Sequence, residues 1–333
     1  MIDSDAEENI LRILFKLGIK SSSLNRLKNG RNSRVWKIFS NRIPLVVKEY
    51  GGSKDSVLRL QREFSFLEYL KDIGIINVPV PVISNLENRI GIYGFLEGEE
   101  PDIIEDKHII QCAKFIYQIN DKQNLKKAKG LNNASEAFFC IMDHIECVES
   151  RLKTLSLIKI ESNIHRSALS FINELLLPEF QNIKSSILNK SDAESLRARL
   201  SLEERIISPS DFGFHNILVS SKGLSFLDFE YAGWDDCAKT INDFWCQPER
   251  PISTSQHVIF LDELASLFQI KNLEQRVLTL KSLYKLKWCC ILLNEFKKEV
   301  YDRRLHSRGE TSSLLENQLN KVKNYFSKNL RTN

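Results

Sequence analysis

Three side chains in one short segment have the types and spacing for phosphoryl-group chemistry. In SPSDFGFHNILVSSKGLSFLDFEY, residues 208–231, Asp211 is followed five residues later by Asn216 and twelve residues after that by Asp228. The apolar runs Ile217–Val219 and Leu224–Leu227 fill the space between Asn216 and Asp228. Moving a phosphoryl group from a nucleotide to an alcohol requires a carboxylate that orients and deprotonates the hydroxyl, oxygen ligands for Mg2+, and positive charge on the phosphates. Asp211 can supply the first. Asn216 and Asp228 can supply the second, because Mg2+ takes hard oxygen donors and only a few of them from protein. A hairpin between those two returns both to the same edge.

The positive charge must come from elsewhere in the chain. Lys48 ends the apolar run Leu45-Val46-Val47, at a position where the strand pattern faces inward. Glu63, in Gln-Arg-Glu-Phe on the helix predicted next, is suited to hold that ammonium in place. Gly30-Arg31-Asn32-Ser33 falls between two predicted strands and can lay backbone N–H groups over phosphates. Gly30, Asn32 and Ser33 are therefore nucleotide-loop candidates, whereas Arg31 and Arg34 read as solvated.

The elements that position these groups follow from hydrophobic period. SSSLNRLKN, RVWKIF and IPLVVKEY read as strands, and DSVLRLQREFSFLEYLKDIG as a helix closed by Gly74. VPVPVISN and RIGIYGFL are two more strands, the first placed at an edge by Pro79 and Pro81. A helix is expected over 5–17, and EGEEPD (97–102) reads as a linker. Helical spacing then dominates, over 105–121, 134–155, 162–189, 193–204, 236–246, 256–269, 274–305 and 311–328. The sum is a small sheet lobe, 1–97, and a larger helical lobe, 98–333, with a ligand cleft between them.

With these residues in this order, the chain resembles the aminoglycoside phosphotransferase and choline kinase group, within the protein-kinase-like fold. The likeness rests on Gly30 to Ser33, Lys48, Glu63, Asp211, Asn216 and Asp228, and on FEYAGWDDCAKTINDF (229–244). In that last segment Asp235, Asp236 and Asp243 match a recurring acidic pair and a later Asp. The resemblance implies an α+β bilobal fold, with a small antiparallel-sheet N-lobe and a large, mostly helical C-lobe. It implies ATP and Mg2+ as cofactors and a hydroxyl on a small molecule as acceptor. It also implies a hinge from Tyr93 to Gly98 whose backbone, at Phe95 to Glu97, meets the adenine. Two features depart from the group's pattern. Pro209-Ser210-Asp211 stands where a His-Gly-Asp type of triplet is usual, and the nucleotide loop has a single glycine.

Composition narrows the partners. Of 333 residues, 47 are Lys or Arg and 43 are Asp or Glu, a net of +4, which makes no case for nucleic acid or a membrane surface. No apolar run approaches the roughly 20 residues of a membrane span. MIDSDAEENILRILFKLGI is acidic ahead of its apolar part, the reverse of a secretion signal. The seven cysteines form no CxxC pair and are odd in number, so reduced thiols in a cytoplasmic protein are expected. Residues 250–310 mix Asp262, Glu263 and Glu295 with Lys281, Lys285, Lys287 and Lys297. That mixture favours a sugar or sugar-like metabolite as acceptor over an aminoglycoside or choline. A kinase-like nucleotide-binding regulatory module with weak catalysis is the reading from another class. Trp288 is assigned to the core, Asp243 to a structural role, and Lys287 with Asn294 either to the acceptor pocket or to solvent.

Overall fold

Alternation of apolar and polar residues between positions 24 and 94 produces a five-stranded antiparallel sheet. The structure, a computed structural model, describes residues 2–21, 23–27, 33–51, 54–308 and 313–331. Helix α1 (Ile2–Lys16) leads into β1 (Leu24–Leu27), β2 (Arg34–Ser40) and β3 (Ile43–Glu49). Then come α2 (Ser56–Asp72), β4 (Pro81–Asn85) and β5 (Ile90–Gly94). The strand order is β1-β2-β3-β5-β4, every pair antiparallel. β4 is an edge strand, where the missing N–H of Pro81 can be borne.

Period-two geometry divides the sheet's side chains between two cores. Trp36, Ile38, Leu45, Val47, Ile90 and Ile92 close on Ile10, Ile13 and Leu14 of α1. The next residue after Val47 must point the other way, so Lys48 emerges on the opposite face. There α2 lies, and its Phe66, Leu67 and Leu70 join the core of the helical region.

That region contains α3 (Asp106–Gln118), α4 (Ile141–Leu155), α5 (Asn163–Phe171), α6 (Leu177–Lys190) and α7 (Ala193–Arg197). Two small two-stranded sheets follow, from β6 (Arg205–Ser208), β7 (Ile217–Ser220), β8 (Gly223–Phe226) and β9 (Gly233–Asp236). The chain ends in α8 (Cys237–Cys246), α9 (Thr254–Phe268), α10 (Leu273–Leu292), α11 (Lys298–Arg308) and α12 (Leu314–Asn329). β7 pairs with β8 and β6 with β9. A π-helical turn, Ile172–Leu176, joins α5 to α6 just before Pro178, whose ring and missing N–H disturb regular α-helix. No helix among the described residues is long and apolar enough to cross a membrane.

Three predicted helices differ from those observed, each for a tertiary reason. The helix expected over 134–155 begins at Ile141, because Ala134 N–H donates to Trp234 O (2.9 Å) and Ser135 N–H to Tyr231 O (2.9 Å). Pairing with the β9 segment outcompetes helical propensity there. The stretch 193–204 is helical only over Ala193–Arg197, then closes in a 3-10 turn at Leu202–Glu204. The helix expected over 274–305 breaks into α10, a 3-10 turn (Leu293–Phe296) and α11. No Gly or Pro marks the break. Leu293 and Phe296 turn into the core, and buried Glu295 turns to meet Arg304 Nε at 2.8 Å.

Candidate active site

Lys48 is the hub of the first half of the site. Its Nζ lies 2.7 Å from Glu63 Oε2, 2.7 Å from Asp228 Oδ1 and 3.5 Å from Glu230 Oε2. Glu63 reaches it from the buried face of α2, one turn from Arg59 and Leu60 on the same side. Tyr50 OH donates to Glu63, and the Tyr50 and Tyr93 hydroxyls are 2.8 Å apart. Gly91, opposite Lys48 in the sheet, leaves the space that the Tyr93 ring occupies. Arg59 Nη1 holds Glu230 at 3.0 Å.

The electrostatics follow from this crowding. Burial opposes the Lys48 charge, but Asp228, Glu63 and Glu230 together outweigh it and raise the ammonium's pKa. Asp228 moves the other way for a carboxylate. Burial raises its pKa, Lys48 pulls it down, and Glu230 and Glu63 push it up again, leaving it at about 7. Three carboxylates therefore share one ammonium, with Arg59 on the outermost of them.

The second half is built on the loop between β6 and β7. Asn120, at the end of α3, fixes β6: its Nδ2 donates to Ile207 O (2.8 Å) and its Oδ1 accepts from Ile207 N–H (2.6 Å). Lys239, 1 % exposed, donates to Ser210 Oγ (2.9 Å) and pairs with Asp235 (2.6 Å) and Asp243 (3.3 Å). Thr240 Oγ1 and Ser210 N–H both donate to Ser208 Oγ. The loop that has Ser210 in place of a glycine, and no histidine before it, is thus held from below by Lys239 and Thr240. Asp211 projects at its tip, with His215 Nε2 3.2 Å from Oδ1. Asn216 Nδ2 donates to the Asp211 carbonyl (2.9 Å), and Leu227 N–H returns to Asn216 O (2.9 Å), so the hairpin closes directly above the loop.

Ser210 (φ 68°), Asp228 (φ 62°) and Glu136 (φ 53°) all adopt left-handed backbone. Such conformations cost about 1–3 kcal/mol each in a non-glycine residue and persist where surrounding structure enforces them. All three lie at this site. Tyr231 links its halves: burial raises its pKa, Glu230 adds, Arg59 opposes, and Asp211 and Asp228 both add to it.

Beside Asp211 opens a cavity of about 260 Å3, walled by Ser210, Asp211 and Tyr231 on one side and by residues of α4, α10 and α11 on the other. Glu136 is the charged centre of the far wall. Arg151 Nη2 meets it at 2.5 Å and Lys287 Nζ at 3.3 Å. Burial raises the Glu136 pKa, but Lys287 and Arg151 more than reverse that and hold it at about 2.

The predicted residues are distributed as follows. Lys48, Glu63 and Asp228 are in direct contact, and Asn216 is bonded to Asp211. Gly30 and Asn32 lie outside the described residues. Ser33 is buried at the start of β2. The Phe95 N–H is engaged by Pro44 O (3.2 Å), its ring sits under Lys37 Nζ at 3.7 Å, and Glu97 is exposed. The linker is pinned by two bonds between Glu99 and Val219 on β7 (3.0 and 2.8 Å). Lys287 and Asn294 line the cavity, and so does Trp288, which the sequence assigns to the core. Asp243 pairs with Lys239 (3.3 Å) and also lines the cavity, while Asp236 Oδ1 caps α8 by accepting from Ala238 N–H (2.8 Å).

Sequence reasoning missed Tyr50, Arg59, Glu230, Lys239, Glu136 and Arg151. Lys239 carried a signal, since it stands four residues from both Asp235, at the end of β9, and Asp243, one turn on along α8. Glu136 and Arg151 carried none.

No protein-family model matches the chain, and no curated protein matches it by sequence. Solved structures do match by shape. A choline kinase from Cryptosporidium parvum Iowa II superposes with a TM-score of 0.59 at 14 % identity, over 97 % of this chain and 97 % of that one. A choline kinase from Streptococcus pneumoniae gives 0.59 at 16 % identity, over 97 % and 99 %. A spectinomycin phosphotransferase in complex with ADP and spectinomycin gives 0.58 at 15 % identity, over 98 % and 94 %. The chain therefore has the bilobal, kinase-like fold of the choline kinase and aminoglycoside phosphotransferase structures, over nearly its whole length.

Proposed function

We propose that this protein is an ATP- and Mg2+-dependent phosphotransferase that phosphorylates a hydroxyl of a small molecule, a sugar or sugar-like metabolite. The observation that carries the reading is the meeting of Lys48 with Glu63 and Asp228, both at 2.7 Å, in a fold whose other half presents Asp211 to a cavity. Carboxylate oxygens of Glu63, Asp228 and Glu230 lie within 4.8 Å of one another, a hard-oxygen donor set suited to a divalent cation. Of that set Glu63 is engaged by Lys48 and Glu230 by Arg59, so Asp228, with the side-chain oxygen of Asn216, would hold such an ion, which when bound neutralises charge on the phosphates. Lys48, anchored by Glu63, places its ammonium on phosphate oxygens. Asp211, oriented by His215, takes the acceptor's proton as the alcohol oxygen bonds to the terminal phosphorus and the bond to the bridging oxygen breaks, releasing ADP. Ser33, with Gly30 and Asn32 in the preceding loop, and the backbone near Phe95 and Glu97 complete the nucleotide site in this reading.

Two variants test it in an ADP-release assay joined to Mg-ATP titration calorimetry. Asp211→Asn should keep Mg-ATP affinity and lose about 10²–10⁴-fold in turnover, the range for removal of a general base. Asp228→Ala should lose Mg2+-dependent nucleotide affinity. Full turnover in the first, or unchanged Mg-ATP affinity in the second, removes the role assigned to that residue.

A further inference from the structure

The acceptor cavity is unlike a site for a cationic alcohol. Resting on the phosphotransferase reading above, we propose that the acceptor is a small polyol that also carries an anionic group, a phosphate ester or a carboxylate, and that Trp288 and Arg303 receive it.

The charge arrangement of the wall points that way. Glu136 is already engaged by Arg151 and Lys287, Asp243 by Lys239 at 3.3 Å and Lys287 at 4.0 Å, and Glu295 by Arg304 at 2.8 Å. Asp211, with His215 Nε2 3.2 Å from its Oδ1, is reserved for the hydroxyl. A choline or an aminoglycoside would enter a wall whose carboxylates are already matched by cations. Arg303 is a loosely held cation of this wall. Its ion pair with Asp55 is long, at 3.8 Å, and its Nε is buried without a hydrogen-bond partner among the described residues.

Unmatched polar atoms supply the second, independent observation. Trp288 is only 7 % exposed, and its Nε1 has no hydrogen-bond partner among the described residues. Asn294 Oδ1 is buried and lacks a partner among them as well. Buried polar groups are nearly always paired, so orphans grouped on one cavity wall mark the places a ligand's atoms fill. The orphan set is two donors, Trp288 Nε1 and Arg303 Nε, and one acceptor, Asn294 Oδ1. Two donors suit anionic oxygens; the acceptor suits a further hydroxyl. The cavity, about 260 Å3, is below the range of about 300–1,000 Å3 for drug-sized ligands, which favours a single-ring or shorter polyol over a multi-ring antibiotic.

The experiment uses the full chain and matched probes: glycerol, glycerol 3-phosphate, glycerate and choline, then glucose, glucose 6-phosphate, glucuronate and glucosamine. Thermal shift reports binding, and ADP release with Mg-ATP reports turnover. The expected result is a rise in Tm with an anionic member of at least one set. Its kcat/KM should exceed that of the amine by about 100-fold, as for a site whose polar groups match one substrate and not another. The phosphate and carboxylate members then distinguish the two kinds of anion. Trp288→Phe and Arg303→Met should each raise KM for that acceptor about tenfold, with kcat and Mg-ATP affinity nearly unchanged. Preference for an amine or neutral member, no binding by any anionic member, or wild-type KM in both variants overturns the proposal. Failure of Mg-ATP itself to shift the wild-type Tm overturns the phosphotransferase reading instead, and the acceptor assignment falls with it.

Discussion

On the Lys48 side of the cleft, Glu63, Asp228 and Glu230 crowd one ammonium, with Arg59 on Glu230; on the Glu136 side, one carboxylate is met by both Arg151 and Lys287. The consequence is visible in two acids of similar intrinsic strength. Asp228 is pushed by burial and its neighbours to about 7, whereas Glu136 is held by its two cations at about 2. A surplus of negative charge is a place for a cation, and a surplus of positive charge is a place for an anion. The same fold thus carries two electrostatic plans a short distance apart, and the loop bearing Asp211 lies between them.

The largest effect should come from the lysine beneath that loop. Lys239→Met leaves Asp235 and Asp243 without their common cation and Ser210 without its donor. Removing one partner of a buried pair costs about 3–5 kcal/mol, read in chemical denaturation. A loss near zero would mean that the paired charges do not support the loop, and the contrast between the two sides would lose its structural basis.

Next, the same chemical change made on both sides should produce different phenotypes. Glu63→Gln loosens Lys48 and should weaken Mg-ATP binding by about 10–100-fold, the value of one charge-assisted bond of about 1.5–3 kcal/mol. Glu136→Gln should leave Mg-ATP affinity intact and lower stability at neutral pH by a similar amount. The sign with pH follows from its depressed folded-state pKa. The stabilisation from Glu136 is fully present above its ordinary pKa of 4.5 and is lost as pH falls towards about 2. The stability gap between wild type and Glu136→Gln should therefore narrow on acidification below pH 4.5. Equal loss of nucleotide affinity in both variants would erase the distinction drawn between the sides.

The smallest effect concerns the linker that joins them. Gly98 has φ 147°, and a Cβ there would stand 2.9 Å from Leu218 Cβ and 3.0 Å from Val219 O. Gly98→Ala should cost about 1 kcal/mol and lift the linker off β7, seen as faster amide exchange at Glu99 and Val219. Unchanged exchange at both would show that the lobes are held by other contacts.

Legibility in the sequence differed between the two sides. Lys48 could be read because strand alternation turns a residue after Val47 away from the α1 core, and Glu63 because helical period places it inward. Asp228 could be read because an apolar hairpin must return it near Asn216. Glu230, two residues further, was missed, since Phe-Glu-Tyr has no period that distinguishes a buried Glu from a surface one. Trp288 was assigned to the core and is buried there, but its second place, on the cavity wall, was not legible, because an apolar stripe along α10 is compatible with both. The break after Leu292 was invisible, as helix propensity continues through Lys297 without Gly or Pro.

What the chain determined by local pattern is the sheet, the helix that carries Glu63, and the hairpin that spaces Asn216 from Asp228, because strand and helix periods are short-range geometry. What only the tertiary structure decided is the far wall, where Glu136, Arg151, Trp288 and Arg303 converge from a loop and three helices. Long-range packing of a broken helix, with Leu293 and Phe296 drawn into the core, sets that convergence, and no spacing along the sequence encodes it.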